Sequence, residues 1–256
     1  MDLGSLGSEF TLIERSGRTR DLSLDVHLSW ATDVSIQLNL FLEQCVTAEA
    51  QSGLSDTITP LKNTTCTWAV RAKQPLLSPN WTWPQHEGLV LARSGSLASD
   101  NEMAPWQVWS NAGHEAFGQS LQNALDQKHT NQKLCLLPNT SDVISDLPGA
   151  LGIAMSGRED LSVALAPSQM LTVTMLASIN DHLLRMFEVL GQRCGLVYLT
   201  DCRQVDEVLV PCPLGQGVLC KDLVRDLLRD WISPKCPVVI PSEDVSNQLA
   251  WLGQEI

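Results

Sequence analysis

Residues 167–199 read PSQMLTVTMLASINDHLLRMFEVLGQRCGLVYL, and the succession of patterns in this stretch decides the fold class. Leu176, Ile179, Leu183, Met186 with Phe187, and Leu190 recur at three- and four-residue spacings. That period predicts a long helix with one apolar face, capped at its start by Ser168 and ending near Gly191. The apolar run Gly195 to Leu199 follows at once and is too short for a helix, so it reads as a buried strand. Such a strand needs neighbours, and the flanking sequence supplies them.

Toward the C-terminus, Val205 to Val210 continues as a strand or turn, and Pro211, Pro213, Gly215 and Gly217 mark a break. A second helix is predicted over Val218 to Ile232, burying Leu219, Leu223, Leu227 and Trp231. Lys221, Arg225 and Arg229 face Asp222, Asp226 and Asp230 across three- and four-residue spacings, so surface ion pairing accounts for these charges. Pro237 to Ile240 closes this half as a short strand.

Toward the N-terminus, Leu161 to Leu165 alternates like a strand, 138–149 is a polar loop, Leu134 to Leu137 is a strand, and His114 to Lys128 has helical spacing through Phe117, Leu121 and Leu125. Residues 74–112 change character, with Pro75, Pro79, Pro84 and Pro105, Trp81, Trp83, Trp106 and Trp109, and little periodicity. This span reads as an irregular Trp/Pro-rich excursion whose tryptophans either cap the core or form an interface. Cys66 to Val70 is a further strand. Leu22, Leu24, Val26 and Leu28 alternate with polar residues, as do Val34, Ile36, Leu38 and Leu40, predicting an antiparallel hairpin.

Strands first, then helix and strand in alternation, predict an α/β or α+β fold: a mixed sheet with an N-terminal antiparallel hairpin, covered by helices, plus a C-terminal amphipathic helix. The expected organisation is a flexible leader over 1–20, a single domain over 21–240 and a terminal docking helix over 241–256.

The chain has 256 residues, 44% hydrophobic and 18% charged, which is the composition of a folding protein. A net charge of −12 argues against direct nucleic-acid binding, because affinity for a phosphate backbone comes largely from Lys and Arg. No apolar run is long enough to cross a membrane as a helix. Residues 1–10 lack the pattern of a secretory signal, and Gly4, Ser5, Gly7 and Ser8 read as a flexible leader or a cloning scar. The eight cysteines contain no Cys-x-x-Cys and read as free thiols of an intracellular chain, nuclear or cytoplasmic. Three glycosylation-type triplets, beginning at Asn63, Asn80 and Asn139, point the other way, toward an extracellular domain whose leader has been removed.

Catalytic signals are sparse. Gly215-Gln216-Gly217 precedes a helix but lacks the third glycine and the Lys-Ser/Thr of a phosphate loop. Asp201, at the end of the Gly195 strand, together with Gly215–Gly217, is the alternative site for an enzyme of unrecognised type, because open α/β sheets place ligands at strand ends. His114 beside Glu115 lacks the second His of a zinc-protease helix, and His182 lies beside Asp181 on the long helix with no motif around it. No catalytic, cofactor-binding or metal-binding residue is assigned, and no cofactor is expected.

After Pro241, Ser242 is a good helix cap, Glu243 and Asp244 suit the positive helix end, and Val245, Leu249, Leu252 and Ile256 recur at spacings of four, three and four. Isolated helices shorter than roughly 12–15 residues are marginal, so this apolar stripe must pack on its own domain or in a partner's groove. The string from Glu243-Asp244 to Leu252, with its Val-Ser-Asn and Trp-Leu elements, resembles the C-terminal partner-binding peptide of the vertebrate topoisomerase VI B-like proteins of meiosis. The resemblance implies a body like that family's transducer domain, a nuclear place in the machinery that starts meiotic recombination, and a pleckstrin-homology-type partner. It makes Val245, Leu249, Trp251 and Leu252 the partner-binding residues. The family's ATP-binding ancestry leaves no motif in this chain. The expected function is therefore a non-catalytic subunit or scaffold of a multiprotein complex that acts through protein–protein binding.

Overall fold

Ten short strands and six α-helices follow one another in the computed structural model, which describes residues 11–13, 34–36, 68–72, 74–84, 88–96, 110–233, 236–241 and 244–252. The strands are β1 (Thr11–Ile13), β2 (Val34–Ile36), β3 (Trp68–Arg71), β4 (Gly88–Arg93), β5 (Gln132–Leu137), β6 (Leu161–Leu165), β7 (Leu196–Tyr198), β8 (Asp201–Val205), β9 (Val208–Cys212) and β10 (Val238–Ile240). The helices are α1 (Asn111–Gln127), α2 (Leu147–Ala154), α3 (Pro167–Met170), α4 (Ile179–Leu190), α5 (Lys221–Trp231) and α6 (Val245–Leu252), with a 3₁₀ segment at Val173–Ser178.

Strands β3, β4, β5, β6, β7 and β10 lie side by side in chain order, and every neighbouring pair among them is parallel. Antiparallel β2 and β1 close the two ends of the row. Parallel neighbours need a crossover, and helices supply it. Buried residues of α1, α4 and α5 (Phe117, Leu183, Phe187, Val224 and Leu227) all join one cluster with Val90, Leu134, Val163, Val197 and Val238 of the strands. The opposite strand face, with Leu89, Leu91, Cys135, Leu137, Leu196 and Val239, forms a second cluster without any helix residue.

Among the described residues, helices pack on one face of this sheet and not on the other. The sheet curls into a half-barrel, and β1 and β2, the two ends of the row, approach within 8 Å between Cα atoms. Buried on both faces, the strands read as continuous apolar runs rather than alternating ones. The hairpin β8–β9 stands apart as a two-stranded antiparallel sheet, turning at Asp206, whose φ is 53°.

The expected α/β architecture with a sheet covered by helices is present, and several elements differ from the sequence prediction. Val34–Ile36 is a strand but pairs with β3, and the Leu22 to Leu28 arm of the expected hairpin lies outside the described residues, as does the leader apart from Thr11–Ile13. Strand β4 runs through the middle of the supposedly irregular span 74–112; its Leu-Val-Leu-Ala run is a buried strand that lacks alternation because both faces are covered. The long helix does not start at Ser168. The threonines and valine of Thr172-Val173-Thr174 are poor helix formers, the chain goes through α3 and a 3₁₀ segment instead, and the regular helix begins at Ile179. The Ser168 hydroxyl bonds Thr200 rather than a helix N–H.

The span 138–149 ends in a helix start: Asp146 accepts from the Gly149 N–H at 2.8 Å and Pro148 sits in the first turn of α2. Trp81 and Trp83 pack on the core, edge to face at 6.0 Å, and the Trp83 indole N–H donates to the Ala124 carbonyl at 2.7 Å, whereas Trp106 and Trp109 lie outside the described residues. Among the described residues no helix is long and apolar enough to cross a membrane.

Gly195, at the entry to β7, is held against β6 so closely that an added Cβ would lie 2.5 Å from the Ser162 hydroxyl oxygen. Phe187, fully buried where α4 meets the sheet, is the largest such side chain. Phe187→Ala is expected to lower unfolding free energy by about 3–5 kcal/mol, measured as an unchanged-slope shift of the urea midpoint.

Candidate functional site

In a singly wound parallel sheet the loops after the strands' C-terminal ends gather on one rim, which is where such folds carry their sites. Here that rim is tied together by polar side chains. Arg93, at the end of β4, donates from Nε to Asp142 Oδ2 at 2.9 Å, and its Nη2 reaches Asp142 Oδ1, Ser141 Oγ at 2.8 Å and Asn139 Oδ1 at 3.3 Å. Asp142, 1% exposed, also accepts from the Gly95 N–H at 3.1 Å. Asn139 Nδ2 donates to Gln169 Oε1 at 2.8 Å, and the Thr140 N–H donates to the Gln169 carbonyl at 3.0 Å, so hydrogen bonds link the loops after β4, β5 and β6. Asn139 belongs to one of the three glycosylation triplets, and its amide nitrogen is engaged in this network.

Beside this rim a cleft of about 910 Å³ opens between α2, α4 and the loops after β5 and β6. Its walls include Met170, Met175, Met186, Val143, Leu147 and Leu151, and its ionisable side chains are His114, Asp146, His182 and Arg185. Through Leu151, Arg185 and Val189 it runs on into a second hollow of about 700 Å³, where Met155 and Leu184 stand between Asp181, Glu188 and Arg193. Met155 is 65% exposed and Leu184 44%, among the most exposed large apolar side chains described.

Local sequence explains this wall. α2 is apolar nearly all round, yet only Ala150 is fully buried, so Leu147, Leu151 and Ile153 keep partly open sides. α4 turns Leu183, Met186, Phe187 and Leu190 into the core and leaves Leu184 and Val189 at the cleft edge.

His114 and His182, which the sequence left in no common context, are brought to the same cleft although they sit on α1 and α4. Among the described residues neither imidazole is hydrogen-bonded to a carboxylate or hydroxyl, and no group of three or more His, Cys, Asp or Glu could hold a metal. The sequence signals for the cleft were the four methionines between 155 and 186 and the Asp-Leu-Pro-Gly start of α2. Neither reads as a site until the two helices are side by side.

The alternative site at Asp201 has a different role. Asp201 is fully buried, and its two carboxylate oxygens accept four backbone N–H groups: Cys202 at 2.8 Å and Leu219 at 3.0 Å on Oδ1, Gly215 at 3.1 Å and Gly217 at 3.0 Å on Oδ2. A carboxylate so enclosed shapes a loop and has no face left for a substrate. Gly217 is confined by the same interaction, since a Cβ there would come within 2.3 Å of Asp201 Oδ1. The strand order has no reversal point at which an open α/β sheet would place a ligand.

This loop also receives the C-terminal helix. Trp251 lies over Gly215, whose φ is +85°, and a Cβ on Gly215 would be 2.7 Å from the indole ring. Gln248, fully buried, accepts from the Leu214 N–H at 3.1 Å and donates to the Pro241 carbonyl at 2.8 Å. Leu249 is 0% exposed within the chain's own core, which therefore takes up one of the four residues expected to meet a partner. Trp251 and Leu252 pack on that core while keeping partial exposure, and the Val245 side chain lies outside those described.

Compared with protein-family models and with curated proteins, the chain matches none.

Asp201→Asn turns an acceptor of four N–H groups into one that must aim its own NH₂ at some of them, and is expected to destabilise the fold by about 3 kcal/mol, measured by denaturant titration. Leu249→Ala is expected to cost about 2–5 kcal/mol in the same measurement. A helix stripe held in reserve for a partner would show no loss.

Proposed function

We propose that this chain is a non-catalytic binding subunit of a protein assembly, and that its partner lays an apolar, basic amphipathic helix along the methionine-lined cleft beside α4. The observation that carries this is the continuous wall from buried Met170 and Met186, through Met175, to exposed Met155 and Leu184. Four of the chain's six methionines line it. Methionine side chains are flexible and polarizable, and they recur on surfaces that accept helices.

Dimensions support a helical occupant. α4 has 12 residues, so the wall is about 18 Å long, enough for anchors at i, i+3/i+4 and i+7 of a partner helix. Exposed charges of both signs rim the wall: Asp181 and Glu188 with Arg185 and Arg193. The net charge of −12 favours encounter with a basic partner over long range.

The resemblance of residues 243–252 to a partner-binding peptide supports a second contact, through the partly exposed Trp251 and Leu252, and with it a place in the meiotic DNA-break machinery. The two surfaces are separable by experiment. Met155→Glu with Leu184→Glu alters exposed side chains and is expected to leave the melting temperature near that of the wild type. It should weaken the chain's principal partner at least about 100-fold, measured by quantitative affinity purification from cells expressing the intact chain, followed by titration of the purified pair. A photo-crosslinking residue at position 184 should join to an apolar segment of that same partner. Undiminished binding by the double variant, with loss of the partner on changing Trp251 and Leu252 to Ala, would transfer the function to the C-terminal helix.

A further inference from the structure

The turn from α4 into β7 and the turn from α5 into β10 meet at the sheet edge where parallel strands begin, opposite the rim that carries the cleft. Gly191 permits the meeting: a Cβ there would lie 2.7 Å from the Trp231 carbonyl oxygen, and Gln192 Nε2 donates to that same oxygen at 2.6 Å. The contact brings two cysteines, separated by 42 positions in the chain, together with their Sγ atoms 3.7 Å apart. Cys194 follows α4, Cys236 precedes β10, and both are half-buried.

A disulfide has its sulfurs at about 2.05 Å, so bonding needs a relative approach of under about 2 Å, within reach of small side-chain rotations. The other described cysteines are differently placed. Cys135, Cys202 and Cys212 are buried, and Cys220 is exposed.

We infer that Cys194 and Cys236 are a redox-convertible pair that closes into an intramolecular disulfide when the protein meets a small disulfide such as oxidised glutathione. One cysteine, as thiolate, attacks a sulfur of the reagent, forms a mixed disulfide and releases one glutathione thiolate, which takes up the proton. The second cysteine then loses its proton and attacks the protein sulfur of that mixed disulfide, and the second glutathione leaves. Two protein thiols are oxidised, and one glutathione disulfide is reduced to two thiols. The bond fastens the start of β7 to the start of β10 and encloses the hairpin β8–β9 and α5 in a covalent loop.

The Cys194 thiol is held well above the ordinary range by the hydrogen bond it donates to Cys236, by burial and by charge on the neighbouring Cys236 and Cys135 sulfurs. The reactive thiolate is therefore scarce at neutral pH, and closure accelerates by about tenfold per pH unit across pH 7–8.

The test equilibrates the full chain with reduced and oxidised glutathione, blocks remaining thiols with an alkylating reagent, and maps the disulfides by mass spectrometry after non-reducing digestion. The expected result is a peptide pair joined through Cys194 and Cys236. It should come with a rise in melting temperature of about 5 °C or more, reversed by dithiothreitol. Cys220→Ser should leave both signals intact, and Cys236→Ser should abolish both. Should Cys236→Ser fail to fold, the wild-type map with its pH-dependent rate decides alone. Cys194 and Cys236 both found alkylated when Cys220 is fully glutathionylated, or joined to other cysteines, would overturn the inference. The disulfide map is made on the chain alone, with no partner present.

Discussion

All the covering helices pack on one face of a sheet whose parallel strands follow chain order, and that one-sidedness governs the rest of the molecule. Phe187, Leu183 and Leu190 from α4, Phe117 and Leu125 from α1, and Leu227 from α5 saturate the helix-facing side. Among the described residues, the cluster holding Leu89, Cys135, Leu196 and Val239 on the other side has no helix member. An apolar strand face left bare would cost hydrophobic free energy along its whole length, and the residues of that face are buried. Curling splays the loops that leave the strands and gathers them on one rim, where Arg93 and Asp142 bind neighbouring loops together.

The same winding makes two ends with different properties. At the rim, loops carry side-chain networks, and α2 lies beside α4 with the methionine-lined cleft along their exposed sides. At the opposite end, helices run directly into strands through tight turns such as that at Gly191, and the close fit there brings Cys194 and Cys236 together. The binding cleft opens from the rim and runs along α4 as far as Arg193, the residue next to Cys194 in the chain.

Asp201 joins the C-terminal third to this plan. Its carboxylate gathers amides from both sides of the hairpin β8–β9 and from the entry to α5, and the loop it forms offers Gly215 as the seat for Trp251. The terminal helix therefore completes the core through Leu249 and Gln248 while keeping part of Trp251 and Leu252 at the surface. A buried carboxylate beside glycines looks like a phosphate or catalytic loop in sequence. Its engagement by four N–H groups assigns it to architecture.

Local pattern by itself determined much of the element list. The apolar stripes of α1 and α4, the strands β5, β6, β7 and β10, and the amphipathic terminal helix follow from the spacing of named residues, because period and burial face are local properties. Helix α5 also forms, but it buries Val224, Leu227 and Leu228 while Leu223 and Trp231, expected inside, are only partly covered. Strand β4 and helix α2 were hidden, since a strand covered on both faces loses its alternation and a helix apolar all round loses its stripe. Only the tertiary structure decided which apolar residue meets which: that Leu249 packs inward, that Asp201 is spent on amides, that His114 and His182 share a cleft, and that Cys194 faces Cys236. These are contacts between segments far apart in the chain, and they depend on how the sheet curls, a collective property that no single stretch of residues encodes.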